Sequence, residues 1–71
     1  VNVGQLASFP AGTEVSPDLL CQSGLLNDVT ERLKILGDGS LDHKLTVKAN
    51  AFSASARAKI EAAGGRCEVV S

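Results

Sequence analysis

The near absence of aromatic side chains is the feature that most constrains this chain. Phe9 and Phe52 are its only aromatic residues, although 44% of the 71 residues are hydrophobic. The core must therefore be built from Ala, Val, Leu and Ile, which bury less apolar area per side chain than an aromatic ring does. A chain of this length is expected to form a single domain, residues 1–71, and to bury only about 60% of its unfolded surface. We expect marginal stability.

No part of the sequence is apolar enough to cross a bilayer. The longest unbroken run of strongly apolar residues is Leu19-Leu20-Cys21, whereas a membrane-spanning helix needs about 20. No basic segment followed by an apolar one opens the chain, so no signal peptide is visible. The sequence therefore predicts no membrane partner.

Two helices are predicted from serine residues that are suited to cap them. Ser16-Pro17-Asp18 supplies a capping hydroxyl, a proline for the first helical position and an acid at the positive end of the dipole. Gly24 is expected to end this helix after about two turns. Ser53 precedes a second helix, which is predicted to run from about residue 54 to 63 and to end at Gly64-Gly65.

Four segments have the pattern of short strands. Val1–Leu6 alternates weakly and is predicted as an edge strand, and Leu33–Leu36 is predicted as a strand that the turn Gly37-Asp38-Gly39 closes. Leu45–Asn50 shows the clearest alternation, with its odd-numbered positions apolar, so one face of this strand should be buried. Cys67–Val70 is predicted as the last strand.

The predicted element order is strand, helix, strand, strand, helix, strand. Residues 9–13 carry the Pro and Gly of a turn, and the polar stretch 27–32 is predicted as a loop. This order predicts a small mixed α/β domain with two short helices.

Cysteine and histidine chemistry is weakly represented. Cys21, Cys67 and His43 are too few for a zinc site. One disulfide between the cysteines is an alternative, but two buried thiols in a reducing compartment is the interpretation we favour. A catalytic Cys–His pair is a further alternative. Since a surface His beside Lys44 and small core cysteines explain the same residues, we predict no enzyme, no cofactor and no small-molecule substrate.

Charge is distributed unevenly along the chain. Residues 1–42 carry two basic and six acidic side chains, a net charge of −4, whereas residues 43–71 carry five basic and two acidic, a net charge of +3. Within residues 43–60 there is no acid at all. The basic residues of this stretch are Lys44, Lys48, Arg57 and Lys59.

Polar residues between these cations suggest a surface that binds phosphate. Asn50, Ser53 and Ser55 can donate hydrogen bonds beside a helix start, and cations there would release counterions from a nucleic acid. An ordinary solvated polar face is the alternative. The scarcity of aromatic residues argues against a protein that stacks single-stranded bases. The candidate RNA-binding residues are Lys44, Lys48, Asn50, Ser53, Ser55 and Arg57.

A set of motifs, taken in order, resembles a known family. The motifs are Val1–Leu6, Gly12–Pro17 with Gly24-Leu25, Leu33–Gly39, Lys44–Ala49, Ala51–Ser53, Ser55-Ala56 and Ile60–Gly65. Each is weak alone, but together they cover essentially the whole chain. They resemble the C-terminal globular domain of the bacterial-type large-subunit ribosomal protein L-fifteen family.

The resemblance implies a structural, non-catalytic constituent of the large (50S) ribosomal subunit that binds large-subunit rRNA and supports assembly. Neighbouring large-subunit ribosomal proteins are implied as further partners, and a ribosome in a bacterial cytoplasm or plastid stroma as the location. It also implies an irregular β-β-α arrangement and an RNA-facing role for Lys48, Ser53, Ser55 and Arg57. The basic N-terminal extension of the family is absent from this chain, which accounts for a pI near 5.7.

A second hypothesis belongs to another functional class. The acidic first part of the chain could serve a small protein-interaction module that meets a basic partner. The two hypotheses are compatible within a ribosome. They differ in whether ribonuclease destroys the bound partner.

Overall fold

Short helices and short strands follow one another along the chain. A computed structural model describes residues 1–28 and 32–70. Within them, the helices are α1 (Val3–Leu6), α2 (Pro17–Gln22) and α3 (Ala54–Ala62), and the strands are β1 (Glu14–Val15), β2 (Lys34–Ile35), β3 (Thr46–Ala49), β4 (Ala51–Phe52) and β5 (Arg66–Val69). The predicted small mixed α/β class is confirmed.

Serine side chains begin the two longer helices, as predicted. The Ser16 hydroxyl accepts a hydrogen bond from the Leu19 N–H at 3.3 Å, and the Ser53 hydroxyl accepts one from the Ala56 N–H at 3.1 Å. Each cap satisfies an amide that has no partner inside the first turn. At the other end of α3, Gly64 has φ +84°, a left-handed conformation that ends the helix and that glycine adopts without strain.

The start of the chain is helical, so the predicted edge strand over residues 1–6 is wrong. Val3 and Leu6 are both fully buried, three residues apart on one side of α1. Gln5 completes the turn by accepting a hydrogen bond from the Asn2 N–H at 2.8 Å. Apolar residues at this spacing suit a helical turn as well as an alternating strand, and contact with the core decides between them.

A three-stranded parallel sheet forms the centre of the described structure, in the order β1-β3-β5. Thr46 on β3 lies between Glu14 on β1 and Arg66 on β5, and Lys48 is aligned with Glu68 on β5. Strands β2 and β4 form a separate parallel pair. Residues in register on neighbouring strands point to the same face of a sheet, so these charged side chains share one face.

The alternation that was predicted for residues 45–50 is confirmed. Leu45, Val47 and Ala49 are buried, whereas Thr46 and Lys48 are half-buried on the opposite face. Strands β1 and β4 were not predicted, because two residues are too few to show a period. The element order is therefore helix, strand, helix, strand, strand, strand, helix, strand.

One aliphatic core joins these elements. No polar or charged side chain among residues 1–28 and 32–70 is buried, and Phe9 and Phe52 lie only at the margin of the core. The thirteen buried side chains are Val3, Leu6, Val15, Leu20, Leu26, Leu33, Ile35, Leu41, Leu45, Val47, Ala49, Ala56 and Ile60. The sequence therefore forms its core from aliphatic residues, as its composition predicts.

The predicted loop over residues 27–32 lies partly outside the described residues. Residues 29–31 are not described, and Asn27, Asp28 and Arg32 belong to neither a helix nor a strand. In the ranges 1–28 and 32–70, none of the helices is long and apolar enough to cross a membrane.

Candidate nucleic-acid interface

The six candidate RNA-binding residues follow the chain from the start of β3 to the second turn of α3. Lys44 precedes β3, Lys48 lies within it, and Asn50 separates β3 from β4. The remaining three, Ser53, Ser55 and Arg57, lie at the start of α3. The fold gives these residues different environments, and their available polar groups differ accordingly.

Lys48 lies between two carboxylates. Its Nζ is 2.8 Å from Glu14 Oε1 on β1 and 3.9 Å from Glu68 Oε2 on β5. The hydrogen bond to Glu14 and the charges of both acids raise the pKa of Lys48 above its ordinary value. The charge of Lys48 is therefore already compensated within the sheet, and less of it is available to a phosphate.

Asn50 uses both ends of its side-chain amide within the fold. Its Oδ1 accepts a hydrogen bond from the Leu33 N–H at 2.7 Å, and its Nδ2 donates to the Val70 carbonyl at 3.0 Å. The sequence placed Asn50 on an outward polar face. Its hydrogen bonds join three separate segments of the chain instead.

The start of α3 presents one serine that caps the helix and two exposed side chains. The Ser53 hydroxyl accepts from the Ala56 N–H, and it lies 3.3 Å from the hydroxyl of Ser55. Arg57 is exposed, and its guanidinium carbon lies 5.5 Å from the centre of the Phe52 ring, within the range of a cation–π contact. Ser55 and Arg57 remain accessible from solvent.

The two other lysines of the basic stretch differ sharply. Lys59 Nζ donates hydrogen bonds to the carbonyl oxygens of Gly37 at 2.5 Å and Gly39 at 2.6 Å, so it fastens a turn to α3. Lys44 is exposed, and its side chain has no hydrogen bond or ion pair with any residue in the ranges 1–28 and 32–70.

Arg66 is a cation of this surface that the sequence did not assign. It begins β5 and is the register partner of Thr46. Its side chain is exposed and, like that of Lys44, forms no hydrogen bond or ion pair in the described part of the chain. The signal lay in the parallel pairing of β3 with β5, which joins residues distant in sequence. Periodicity within one segment does not reveal it.

His43 and the cysteines show no sign of nucleophilic activation. His43 Nε2 is 2.7 Å from the Phe9 carbonyl oxygen and its Nδ1 is 3.1 Å from Asp42 Oδ1, and these acceptors raise the pKa of His43. Cys21 and Cys67 are not bridged, as predicted. Burial raises the pKa of the Cys67 thiol, whereas a reactive thiol needs a lowered pKa. Among residues 1–28 and 32–70, no three potential ligands converge on a metal site.

Comparison with known proteins identifies the family. Residues 1–68 match a family model that describes the ribosomal proteins 50S-L15 and 50S-L18e together with their counterpart in the 60S subunit. The chain belongs to this ribosomal family. It is also 59% identical over 70 residues to "Large ribosomal subunit protein uL15" from Synechococcus sp. (strain RCC307). That alignment covers 99% of this chain and 47% of the relative, so the chain spans about half the length of the curated relative it matches. The predicted family is confirmed.

In this member of the ribosomal family, the candidate surface divides into residues that build the fold and residues that face solvent. Lys48, Asn50 and Ser53 are engaged in ion pairs or hydrogen bonds within the domain. Between residues 43 and 70, all of which are described, the cations without an acidic partner include Lys44 and Arg66. Such cations attract anions, and phosphate oxygens are the anions that RNA presents most densely.

Proposed function

We propose that this chain belongs to a structural, non-enzymatic constituent of the large ribosomal subunit that binds large-subunit rRNA and supports subunit assembly. The observation that carries this proposal is the family match over residues 1–68, together with 59% identity to a relative named as a large-subunit ribosomal protein. Since the chain spans about half of that relative, the role of the whole protein is part of the proposal. Neighbouring ribosomal proteins are its further proposed partners.

The six predicted residues take two roles in this proposal. Lys44, Ser55 and Arg57 contact phosphate oxygens directly, and their exposure supports that role. Lys48, Asn50 and Ser53 form the surface from which those contacts are made. Their polar groups already bind Glu14, Leu33 and the start of α3, respectively.

The physical basis of binding is release of counterions from the RNA. Each cation that pairs with a phosphate displaces condensed counterions, so affinity falls as salt rises, whatever the base sequence. A guanidinium adds a fork of donors that matches two phosphate oxygens. The residues with free charge therefore set the salt dependence, whereas those with satisfied polar groups set stability.

Co-sedimentation tests the proposed function. The full-length protein would be tagged in its own cells, and lysate would be spun through a high-salt sucrose cushion with and without ribonuclease. We expect the tag to sediment with the large subunit and to be released by ribonuclease. A tagged protein of similar mass that does not bind RNA serves as the control for nonspecific sedimentation.

Two other results would contradict the proposal. A tag that stays in the soluble fraction under both conditions would show that family membership here does not entail ribosome binding. A tag that sediments with a partner resistant to ribonuclease would favour the protein-interaction hypothesis, in which the acidic first part of the chain meets a basic protein.

A further inference from the structure

A cleft of about 330 Å³ lies at the edge of the three-stranded sheet where all three parallel strands begin. Lys44 and Arg66 line it together with Thr46, and no acidic residue is among its described lining residues. Three glycines complete the wall: Gly12, Gly64 and Gly65. A cleft lined by two cations and by glycine backbone is shaped for a small anion.

Backbone hydrogen bonds hold the walls of this cleft together. The Lys44 carbonyl accepts from the Gly12 N–H at 2.8 Å, and the Leu45 carbonyl accepts from the Arg66 N–H at 2.9 Å. The loop before β1, the entry to β3 and the start of β5 therefore meet at one point. The two cations are carried on paired backbone rather than on free loops, so their spacing is set by the sheet register.

The glycines keep the cleft open. A Cβ on Gly64 would lie 3.9 Å from Lys44 Cβ, so the helix end and Lys44 are in direct contact distance. A Cβ on Gly65 would collide with the Leu45 carbonyl oxygen. Side chains are thus absent where an incoming anion would approach the two cations, and glycine commonly occupies positions of this kind.

The charges of Lys44 and Arg66 are free, unlike those of their neighbours. Lys48 is paired with Glu14 and Glu68 on the same sheet face, and Lys59 is bound to backbone carbonyls. No ion pair or hydrogen bond involves the side chain of Lys44 or Arg66 in the described residues. An unpaired ammonium and an unpaired guanidinium beside one cleft leave a local positive field that nothing in the described chain compensates.

We propose that the cleft between Lys44 and Arg66 binds a phosphate group of the RNA backbone and is the main phosphate contact of this chain. The inference rests on the proposed function and adds Arg66, which the sequence did not assign. The guanidinium presents paired donors to two phosphate oxygens, and the ammonium supplies a point charge beside it. Because the contact is to backbone, it orients the RNA without reading its sequence.

RNA-binding assays with paired variants test the cleft. The full-length protein would be titrated with deproteinised large-subunit rRNA in a filter-binding assay between about 50 and 200 mM KCl, the range over which counterion release is marked. The test variant is Lys44→Gln with Arg66→Gln. The matched control is Arg32→Gln with Lys34→Gln, which removes the same charge from two exposed residues at and before β2. Circular dichroism melting would confirm that both variants fold.

We expect the test variant to lower the slope of log K against log salt by about 1.5, at roughly 0.7–0.9 per phosphate contact. Over a fourfold rise in salt, it would then lose about eightfold less affinity than the wild type loses. The control variant should keep a slope close to that of the wild type.

Each other outcome has a distinct meaning. A wild-type slope in the test variant, or an equal decrease in both variants, would overturn the cleft as the main phosphate contact. If the test variant kept the wild-type slope but no longer sedimented with large subunits, an acidic protein neighbour would occupy the cleft instead. If the wild-type protein failed to bind rRNA at all, the proposed function itself would fail, and the cleft proposal with it.

Discussion

Asn50 and Leu33 are joined by two hydrogen bonds that run in opposite directions. The Leu33 N–H donates to Asn50 Oδ1 at 2.7 Å, and the Asn50 N–H donates to the Leu33 carbonyl at 3.0 Å. The same side chain donates to the Val70 carbonyl just after β5. One amide therefore connects the approach to β2, the turn after β3 and the end of the central sheet.

Replacing Asn50 should cost stability and leave the salt dependence of RNA binding unchanged. Asn50→Ala removes the partner of a half-buried amide and of a carbonyl, so we expect the free energy of unfolding to fall by about 2 kcal/mol. Urea denaturation measures this loss. Asn27→Ala, at an exposed site, is the matched control and should stay within about 0.5 kcal/mol of wild type. Equal stability of the two variants would contradict the structural role.

Lys59 should also act on stability rather than on RNA. Its ammonium donates to two turn carbonyls, so Lys59→Met should lower the free energy of unfolding by about 1.5 kcal/mol, the scale of charge-assisted bonds reduced for partial exposure. Lys44→Met removes the same charge without any such bonds and should be nearly neutral. Thermal melting followed by circular dichroism compares them. A larger loss for Lys44→Met than for Lys59→Met would refute this assignment.

Local chemistry was sufficient to predict the two longer helices and the central strand. A capping hydroxyl such as that of Ser53 acts within three residues, and the alternation around Val47 reports one buried face. Val3 and Leu6 show the limit of this reasoning. Their spacing fits a strand or a single helical turn, and only the core, which is formed by distant residues, distinguishes the two.

The candidate surface was only partly predictable for a similar reason. The free charge of Lys44 could be inferred from its sequence neighbours. The compensation of Lys48 could not, because Glu14 and Glu68 reach it only through parallel pairing on both sides of β3. Arg66 reaches the surface through the same pairing. Charge counted along a sequence thus misplaces cations wherever a sheet brings remote acids beside them.

The contact between Gly37 and Ser55 predicts an intolerance of side chains in the turn. A Cβ on Gly37 would lie 2.7 Å from Ser55 Cβ and 3.0 Å from the Ala56 nitrogen. Gly37→Ala should therefore lower the free energy of unfolding by about 2 kcal/mol through overpacking. In a background of Ser55→Gly the same change should cost less, because the first collision is removed. Equal costs in the two backgrounds, measured by urea denaturation, would exclude this contact as the cause.

His43 should make stability depend on pH between about 6 and 8. Hydrogen bonds to Asp42 and to the Phe9 carbonyl raise its pKa above 6.5, because two acceptors favour the doubly protonated ring. A raised folded-state pKa means that this stabilisation is complete below about 6.5 and is lost as pH rises through the folded value. The Tm should therefore fall from about pH 6 to about pH 8, and His43→Gln should flatten that fall. Cys67, the other group here with a raised pKa near this range, ordinarily titrates near 9.0, above the window. An identical fall in both proteins would assign the pH dependence to other groups, since the chain has one histidine.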